Sequence, residues 1–276
     1  MDAPPATLGT RTEARIATTR TQGGSDFANL RIPQSATYPM SVSFEPTTRR
    51  AALGDDLARP ARIWDLPTRV FHWSLAAAVI GQLVTGLSGL MEWHFRLGYT
   101  VLALLLFRLL WGFVGGRWSR FASFLYSPRW VLAYLRGRAH PDHLIGHNPL
   151  GALSVFALLG ILVLQVCTGL VSDDEISAAG PLTRFVPGSV VSLASRWHTQ
   201  FGMWGVISLA SLHVLAVLYY VLVKRQRLVG PMISGDKLLT GLLVAESRDT
   251  ASTRFTALVL FALCAGFAAW IASLRA

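Results

Sequence analysis

Cysteine and charge are what this 276-residue chain has least of. Only Cys167 and Cys264 occur, both inside apolar runs, without a C-x-x-C or C-x-x-C-H spacing. This argues against a disulfide scaffold, an iron–sulfur cluster, a thiolate zinc site and covalently attached c-type haem. Charged residues make up 14% of the chain against 52% hydrophobic, which is not the composition of a water-soluble domain. Acidic residues are scarcer than basic ones, 15 against 25, but the net charge of +10 is spread between apolar runs rather than gathered on one polar domain. Nucleic acid is therefore not the expected partner. The solvent implied is membrane lipid.

A helix needs about 20 apolar residues to cross the hydrocarbon core. Five windows qualify: 70–91, 97–116 (interrupted only by Arg108), 148–172, 199–223 and 255–274. None has the alternation of a barrel strand, so all five read as helices and the expected fold is an all-α membrane bundle of five spans. Basic residues fix the expected orientation. Residues 49–69 and the connections 2–3 and 4–5 carry 16 Lys and Arg, whereas the opposite side carries Arg96, Arg184, Arg196 and Arg275 with the acidic run Asp173, Asp174 and Glu175. The amino terminus is expected in the cytoplasm and the carboxyl terminus in the periplasm. Residues 1–58 show no apolar periodicity and no signal-peptide h-region, and are expected to be a disordered extension. Residues 59–240 would form the functional membrane domain, followed at 241–276 by a loop and the fifth span. Between spans 2 and 3, residues 118–135 mix aromatic, apolar and basic side chains around Pro128, as an interfacial helix would; an ordinary basic loop fits equally well.

Histidine is the residue that needs an account, because ionisable groups at membrane depth are costly and tend to mark function. By position, His72 and His147 stand at the inner level, His94 and His198 at the outer level, and His213 deep in span 4, while His140 and His143 read as solvated loop residues. His198 and His213 are 15 residues apart, roughly 22 Å along an α-helix and about 60° around it. They therefore point to one side at two depths, with His94 at the level of His198 and His72 near that of His213. Two imidazoles from different helices can ligate a haem iron from opposite faces, so the layout accommodates two non-covalent b-type haems.

His94, His147 and His198 are each followed four residues later by glycine (Gly98, Gly151, Gly202), on the same helical face. Such glycines would clear space for a flat macrocycle; ordinary helix packing is the other explanation. Haem propionates need cations, and Arg69, one turn before His72, and Arg108, inside an apolar run, could serve the inner haem, with Arg96 or Arg196 at the outer one. Tryptophans near span ends, Trp64 and Trp197 among them, read as interfacial anchors.

These residues also carry a resemblance. Arg62-Ile-Trp-Asp-Leu-Pro-Thr-Arg69-Val-Phe-His72-Trp, His94-Phe-Arg-Leu-Gly98-Tyr, Gly146-His147-Asn-Pro-Leu-Gly-Ala-Leu153 and Trp197-His198-Thr-Gln-Phe-Gly202, with Leu212-His213, resemble the bacterial cytochrome b561 family, in the branch that includes nickel-hydrogenase b-type subunits. The resemblance spans residues 60–240 and implies an inner-membrane dihaem core of four helices that moves electrons between the quinone pool and a partner. It implies His72, His94, His198 and His213 as axial ligands of haem iron, with Arg69, Arg108 and His147 as propionate or quinone contacts. The partner would be a c-type cytochrome, a hydrogenase-like oxidoreductase subunit on the outer side, or a small redox molecule. The enzymatic reading is a quinone-linked oxidoreductase or its cytochrome b subunit, although the residues do not establish turnover. Two other classes stay open from the residues alone: a proton-coupled transporter whose histidines relay protons, and an anchor subunit without redox chemistry. No internal repeat of the transporter kind is apparent.

Overall fold

A computed structural model describes residues 58–138, 145–176, 178–240 and 245–275. The expected disordered extension, apart from Ala58, lies outside the described residues, as do His140 and His143. Five helices are long and apolar enough to cross a membrane, as the sequence predicts. In chain order the elements are β1 (Ala58–Arg62), α1 (Leu66–Leu87), α2 (Met91–Val114), α3 (Pro128–Leu135), α4 (Pro149–Leu170), α5 (Gly188–Arg196), α6 (Met203–Leu222), α7 (Val229–Ser234), β2 (Asp236–Thr240) and α8 (Ala251–Ser273). The spans are α1, α2, α4, the α5–α6 rod and α8.

Local chemistry sets the starts of three spans. Asp65 caps α1 by accepting from the Thr68 N–H, Asn148 caps α4 by accepting from the Gly151 N–H, and Thr250 caps α8 by accepting from the Thr253 N–H. Pro67 and Pro149 follow their caps in the first turn, where a missing N–H costs nothing. Four of the five spans start before their charge-free windows, because a charge at a helix end stays in water. Thus α2 begins at Met91, where Glu92 and Arg96 pair at 2.9 Å, and places His94 inside its first turn rather than before it. The fourth span departs furthest from the window. It runs unbroken through 35 residues, Gly188–Leu222, and a π-helical turn at Trp197–Gly202 joins α5 to α6.

The core centres on α2, whose Val101, Leu104, Leu105, Phe107 and Trp111 are buried against Phe71 and Ala78 of α1, Leu159 and Leu162 of α4, and Ala257 and Cys264 of α8. The rod contributes only Val206 to this buried set, and its remaining apolar side chains, such as Leu212, Leu215 and Leu222, face outward as lipid contact requires. Lipid tails are as apolar as leucine, so close packing and polar contacts hold these helices together rather than expulsion from water.

One end of the bundle carries a two-stranded ribbon that the all-α reading does not contain. β1 and β2 pair antiparallel with Arg62 opposite Asp236, and the Ile63 and Trp64 N–H groups donate to the Gly235 carbonyl at 3.0 and 3.1 Å. Pro60 and the absence of alternation hide β1 in the sequence. The loop before α8 is stitched to the same place. The Ser247 N–H donates to the Arg62 carbonyl at 2.7 Å, and Asp249 takes Arg62 at 3.1 Å and Arg254 at 2.9 Å. The fifth span is thus tied to the entry of the first. Residues 118–135 do not form one interfacial helix. Two single turns, Arg117–Ser119 and Phe121–Ser123, precede α3, which Pro128 starts rather than interrupts.

Candidate functional site

At the end opposite the ribbon, the far end, His94 of α2 and His198 of the rod face each other with ring centres 6.0 Å apart and planes at 86°. Each ring is bracketed by a glutamine of the preceding span. His94 Nδ1 donates to the Gln82 carbonyl (3.2 Å), and Gln82 Nε2 donates back to the His94 carbonyl (2.8 Å). His198 Nδ1 likewise donates to the Gln165 carbonyl (2.9 Å), and Gln165 Nε2 to the His198 carbonyl (2.8 Å). With each Nδ1 carrying the proton, each Nε2 presents a lone pair, the tautomer a metal requires.

The bracket is duplicated in sequence. Gln82-Leu-Val-Thr85-Gly86-Leu87 in α1 matches Gln165-Val-Cys-Thr168-Gly169-Leu170 in α4, and His94-x-x-x-Gly98 matches His198-x-x-x-Gly202. Sequence reasoning missed this repeat, although the Q-x-x-T-G-L string was visible. Gly86 and Gly169 lie directly against the imidazoles: a Cβ would come within 3.1 Å of His94 Cε1 and 2.7 Å of His198 Cε1. The glycines four residues after the histidines also border polar side chains: a Cβ at Gly98, which lines the cavity between the imidazoles, would meet Gln82 Nε2, one at Gly202 would collide with Gln165 Oε1, and one at Gly151 would press on the capping Asn148.

A cavity of about 340 Å³ opens between these imidazoles, lined mainly by apolar residues of the first four spans, among them Val79, Leu83, Leu162 and Val206. Buried Tyr99 Oη and Gln165 Oε1, both in lining residues, have no hydrogen-bond partner. Asp173 and Asp174 reach its rim, yet their carboxylates also shape the local turn by accepting from the N–H groups of Glu175 and of Ile176 and Ala178.

A second histidine group lies on the ribbon side. His72 of α1 and His213 of α6 are within electrostatic reach of each other. Ser154 Oγ lies 3.2 Å from His213 Nδ1, whereas His72 Nδ1 is sealed from solvent without a partner. The π turn matters to this pairing. It takes up one residue beyond α-helical spacing, so His198 and His213 are separated by fourteen effective α-helical steps, about 40° apart around the axis rather than 60°. Arg108 follows His94 by fourteen positions on α2, which puts it near the depth of His213 on the rod.

Arg108 is 3% exposed, its guanidinium lies 4.6 Å from the Phe121 ring centre, and its Nη1 has no partner. Gly112 admits Phe121 there, because a Cβ would overlap that ring. His147 belongs to the same group. Its ring sits 4.6 Å from Trp64 and 4.5 Å from Phe124, so Trp64 is partly a packing partner of the site rather than only an anchor. Withdrawal from water, reinforced by Arg108, His72, His213 and Lys237, drives the His147 pKa down to about 3, so it is neutral at pH 7. Arg69 is largely committed elsewhere, donating to the Ile233 carbonyl and lying 3.8 Å from Asp249, with Nε buried and unpartnered. Arg96 and Arg196 are exposed; Arg96 is held by Glu92.

Asp65 also escaped sequence reasoning beyond its place in a motif. Fully buried, it accepts from Thr68 N–H (2.8 Å), Gly116 N–H (3.1 Å), Ser119 Oγ (2.7 Å) and Trp111 Nε1 (3.4 Å). It thereby joins the start of α1 to the end of α2 and positions His72 and Arg108 relative to each other.

The far pair fits a haem. Two metal–nitrogen bonds of ~2 Å in line would put imidazole centres about 6 Å apart, the separation observed. Among the described residues no three His, Cys, Asp or Glu side chains converge as a small-ion site would require, whereas haem iron takes only two ligands from protein. The ribbon-side group supplies two histidines and a buried cation suited to a carboxylate-bearing ring.

The family model for prokaryotic cytochrome b561 matches residues 63–235. A probable Ni/Fe-hydrogenase B-type cytochrome subunit of Rhodobacter capsulatus is 29% identical over 63% of this chain and 80% of its own length. Probable subunits of the same kind from Azotobacter chroococcum mcd 1 (28% identical, 64% of this chain and 88% of the relative) and Escherichia coli K12 (25% identical, 63% and 88%) are also similar. No solved structure matches significantly. The matched segment contains both histidine pairs, both glutamine brackets and four of the five spans, and the chain belongs to the prokaryotic cytochrome b561 family of membrane proteins, which transfer electrons through b-type haem.

Proposed function

We propose that this protein conducts electrons across the bacterial inner membrane between the quinone pool and a redox partner through two haems b, one held by His94 and His198 and one by His72 and His213. The observation that carries the reading is the facing of His94 and His198 at 6.0 Å, each with Nδ1 bonded to a neighbouring carbonyl. When bound, haem supplies one-electron exchange at iron within a site whose ligands and surroundings tune its potential.

The protein's part is positioning and electrostatics. The main-chain carbonyls of Gln82 and Gln165 keep both far imidazoles in the tautomer that offers Nε2, and the Ser154 hydroxyl, 3.2 Å from His213 Nδ1, is able to accept from that nitrogen in the same tautomer. Arg108 holds a positive charge where dielectric screening is weak and favours a propionate or an electron-rich head group beside it. His147, kept neutral, is a hydrogen-bonding group rather than a second cation, suited to a propionate or a quinone oxygen. The basic residues of the ribbon end support a cytoplasmic ribbon end under the positive-inside rule, with the far pair as the outer one and a periplasmic carboxyl terminus. The relatives' names favour a hydrogenase-like catalytic subunit as partner; a c-type cytochrome docking beside Asp173, Asp174 and Glu175 on the outer side is the alternative redox partner.

A pyridine haemochrome assay on purified protein tests the reading. Two haems b per chain, extractable with acid acetone, are expected; one or none would overturn the dihaem assignment.

A further inference from the structure

We propose that Gln82 and Gln165 are a matched pair of positioning residues that fix the planes of the two outer imidazoles at right angles. The inference rests on His94 and His198 being the outer haem ligands. An imidazole bound only through Nε2 can turn about the metal–nitrogen axis, and here each ring is fixed by a bond at its other nitrogen. The acceptor is the glutamine's main-chain carbonyl, and that glutamine's side-chain amide reaches back to the main-chain carbonyl of the same histidine. Each glutamine therefore holds a histidine at two points, one on the ring and one on the backbone, and closes a small hydrogen-bonded ring between adjacent spans.

Three observations separate this from ordinary helix packing. A glutamine within an apolar span is costly unless its amide is bonded, and both Nε2 groups, each five residues from its helix end, donate to the same partner type at 2.8 Å. Gly98 and Gly202, one turn after each histidine, leave the room each amide occupies. Gly86 and Gly169, one turn after each glutamine, let the Nδ1–Cε1 edge of the imidazole come close to the helix that carries the bracket. The same set of five residues, Gln, Thr, Gly, His and Gly, thus builds both sides of one site, and its product is the 86° angle between the rings. The ribbon-side pair has no such bracket: Ser154 holds His213 at 3.2 Å, and His72 Nδ1 has no partner.

The test uses purified full-length holoprotein carrying Gln82→Met or Gln165→Met, substitutions that keep the bulk and the main-chain carbonyl at Nδ1 but remove the amide that holds the histidine backbone, and with it the ring, in register with that carbonyl. Gly98→Ala and Gly202→Ala, which press on the same amides from the other side, provide a second set. Ferric low-spin EPR spectra and haem retention on dilution are read. Near-perpendicular imidazoles give a strongly anisotropic signal with a large maximum g value. The substitutions are expected to move the outer component toward smaller maximum g and to weaken outer haem retention about 10-fold or more, with the inner component unchanged. An outer component with unaltered g values and retention in these variants would overturn the proposal. Should a methionine variant fail to accumulate, its glycine counterpart decides by the same readings. Failure of the ligand assignment itself is distinguishable, because His94→Ala and His198→Ala would then leave both haem components in place.

Discussion

His94 and His198 come from different spans, 104 positions apart in sequence, and yet meet with ring centres 6.0 Å apart at the far end of the bundle. Each is fixed to the span before it by the same glutamine geometry, so the two halves of the site are built alike. The ribbon-side group is not duplicated in this way. There the rod supplies an imidazole, His213, whereas α2 supplies a permanent positive charge, Arg108.

That charge leads to a prediction for the inner haem. A buried guanidinium favours the reduced, less positive iron, so Arg108→Gln is expected to lower the inner haem's midpoint potential by an amount on the order of 1–2 kcal/mol for one electron. The outer potential should hardly move. Potentiometric titration followed by optical absorption checks this, and an unchanged inner component would show that Arg108 does not face the haem.

Asp65 should matter more for stability than for colour. Asp65→Ala removes the cap of α1 and leaves the Gly116 N–H and Trp111 Nε1–H without their acceptor in a buried position. A loss of about 3 kcal/mol or more is expected. Thermal denaturation of Asp65→Ala and the milder Asp65→Asn in detergent measures it.

Acid should loosen the ribbon end first. Burial pushes the Asp249 carboxyl up, but hydrogen bonds from Arg254 and the Leu66 N–H and the charges of Arg254 and Arg62 outweigh it and hold the pKa below its ordinary 3.8. A carboxyl with a depressed folded-state pKa contributes stability that is complete above its unfolded value and is lost as pH falls through the folded one. Anchoring of α8 to the ribbon should therefore be constant from pH 7 to about 5 and weaken below about 4. Hydrogen exchange of residues 245–254 across this range checks it, and Asp249→Asn should remove the acid-induced step in this segment.

Much of this was legible in the sequence because bilayer chemistry leaves strong marks. Spans announce themselves by length and apolarity, and histidines at membrane depth are conspicuous because burying them costs so much. The helix ends were misplaced where Arg96 and Arg196 interrupt charge-free windows, since the terminal turns of α2 and the middle of the rod tolerate an exposed guanidinium. The ribbon was hidden because Ala58–Arg62 has no strand-like alternation and gains its partner 178 residues downstream, Ala58 opposite Thr240 and Arg62 opposite Asp236. The glutamine brackets were readable as a repeated string, but their purpose was not, since only the fold shows that the glycines beyond His94 and His198 make room for amides. The π turn leaves no clear mark in the sequence, and it alters the angle from which His198 and His213 were compared.

The central claim is that the four histidines sort into haem sites by depth and not by helix, and redox titration of single histidine variants tests it most directly. His94→Ala and His198→Ala should each remove or disturb the outer haem component and spare the inner one. His72→Ala and His213→Ala should do the reverse, although His198 and His213 share one span. If His72→Ala and His94→Ala abolished the same component, or if His147→Ala removed the inner component while His72→Ala left it intact, the ligand assignment would be contradicted.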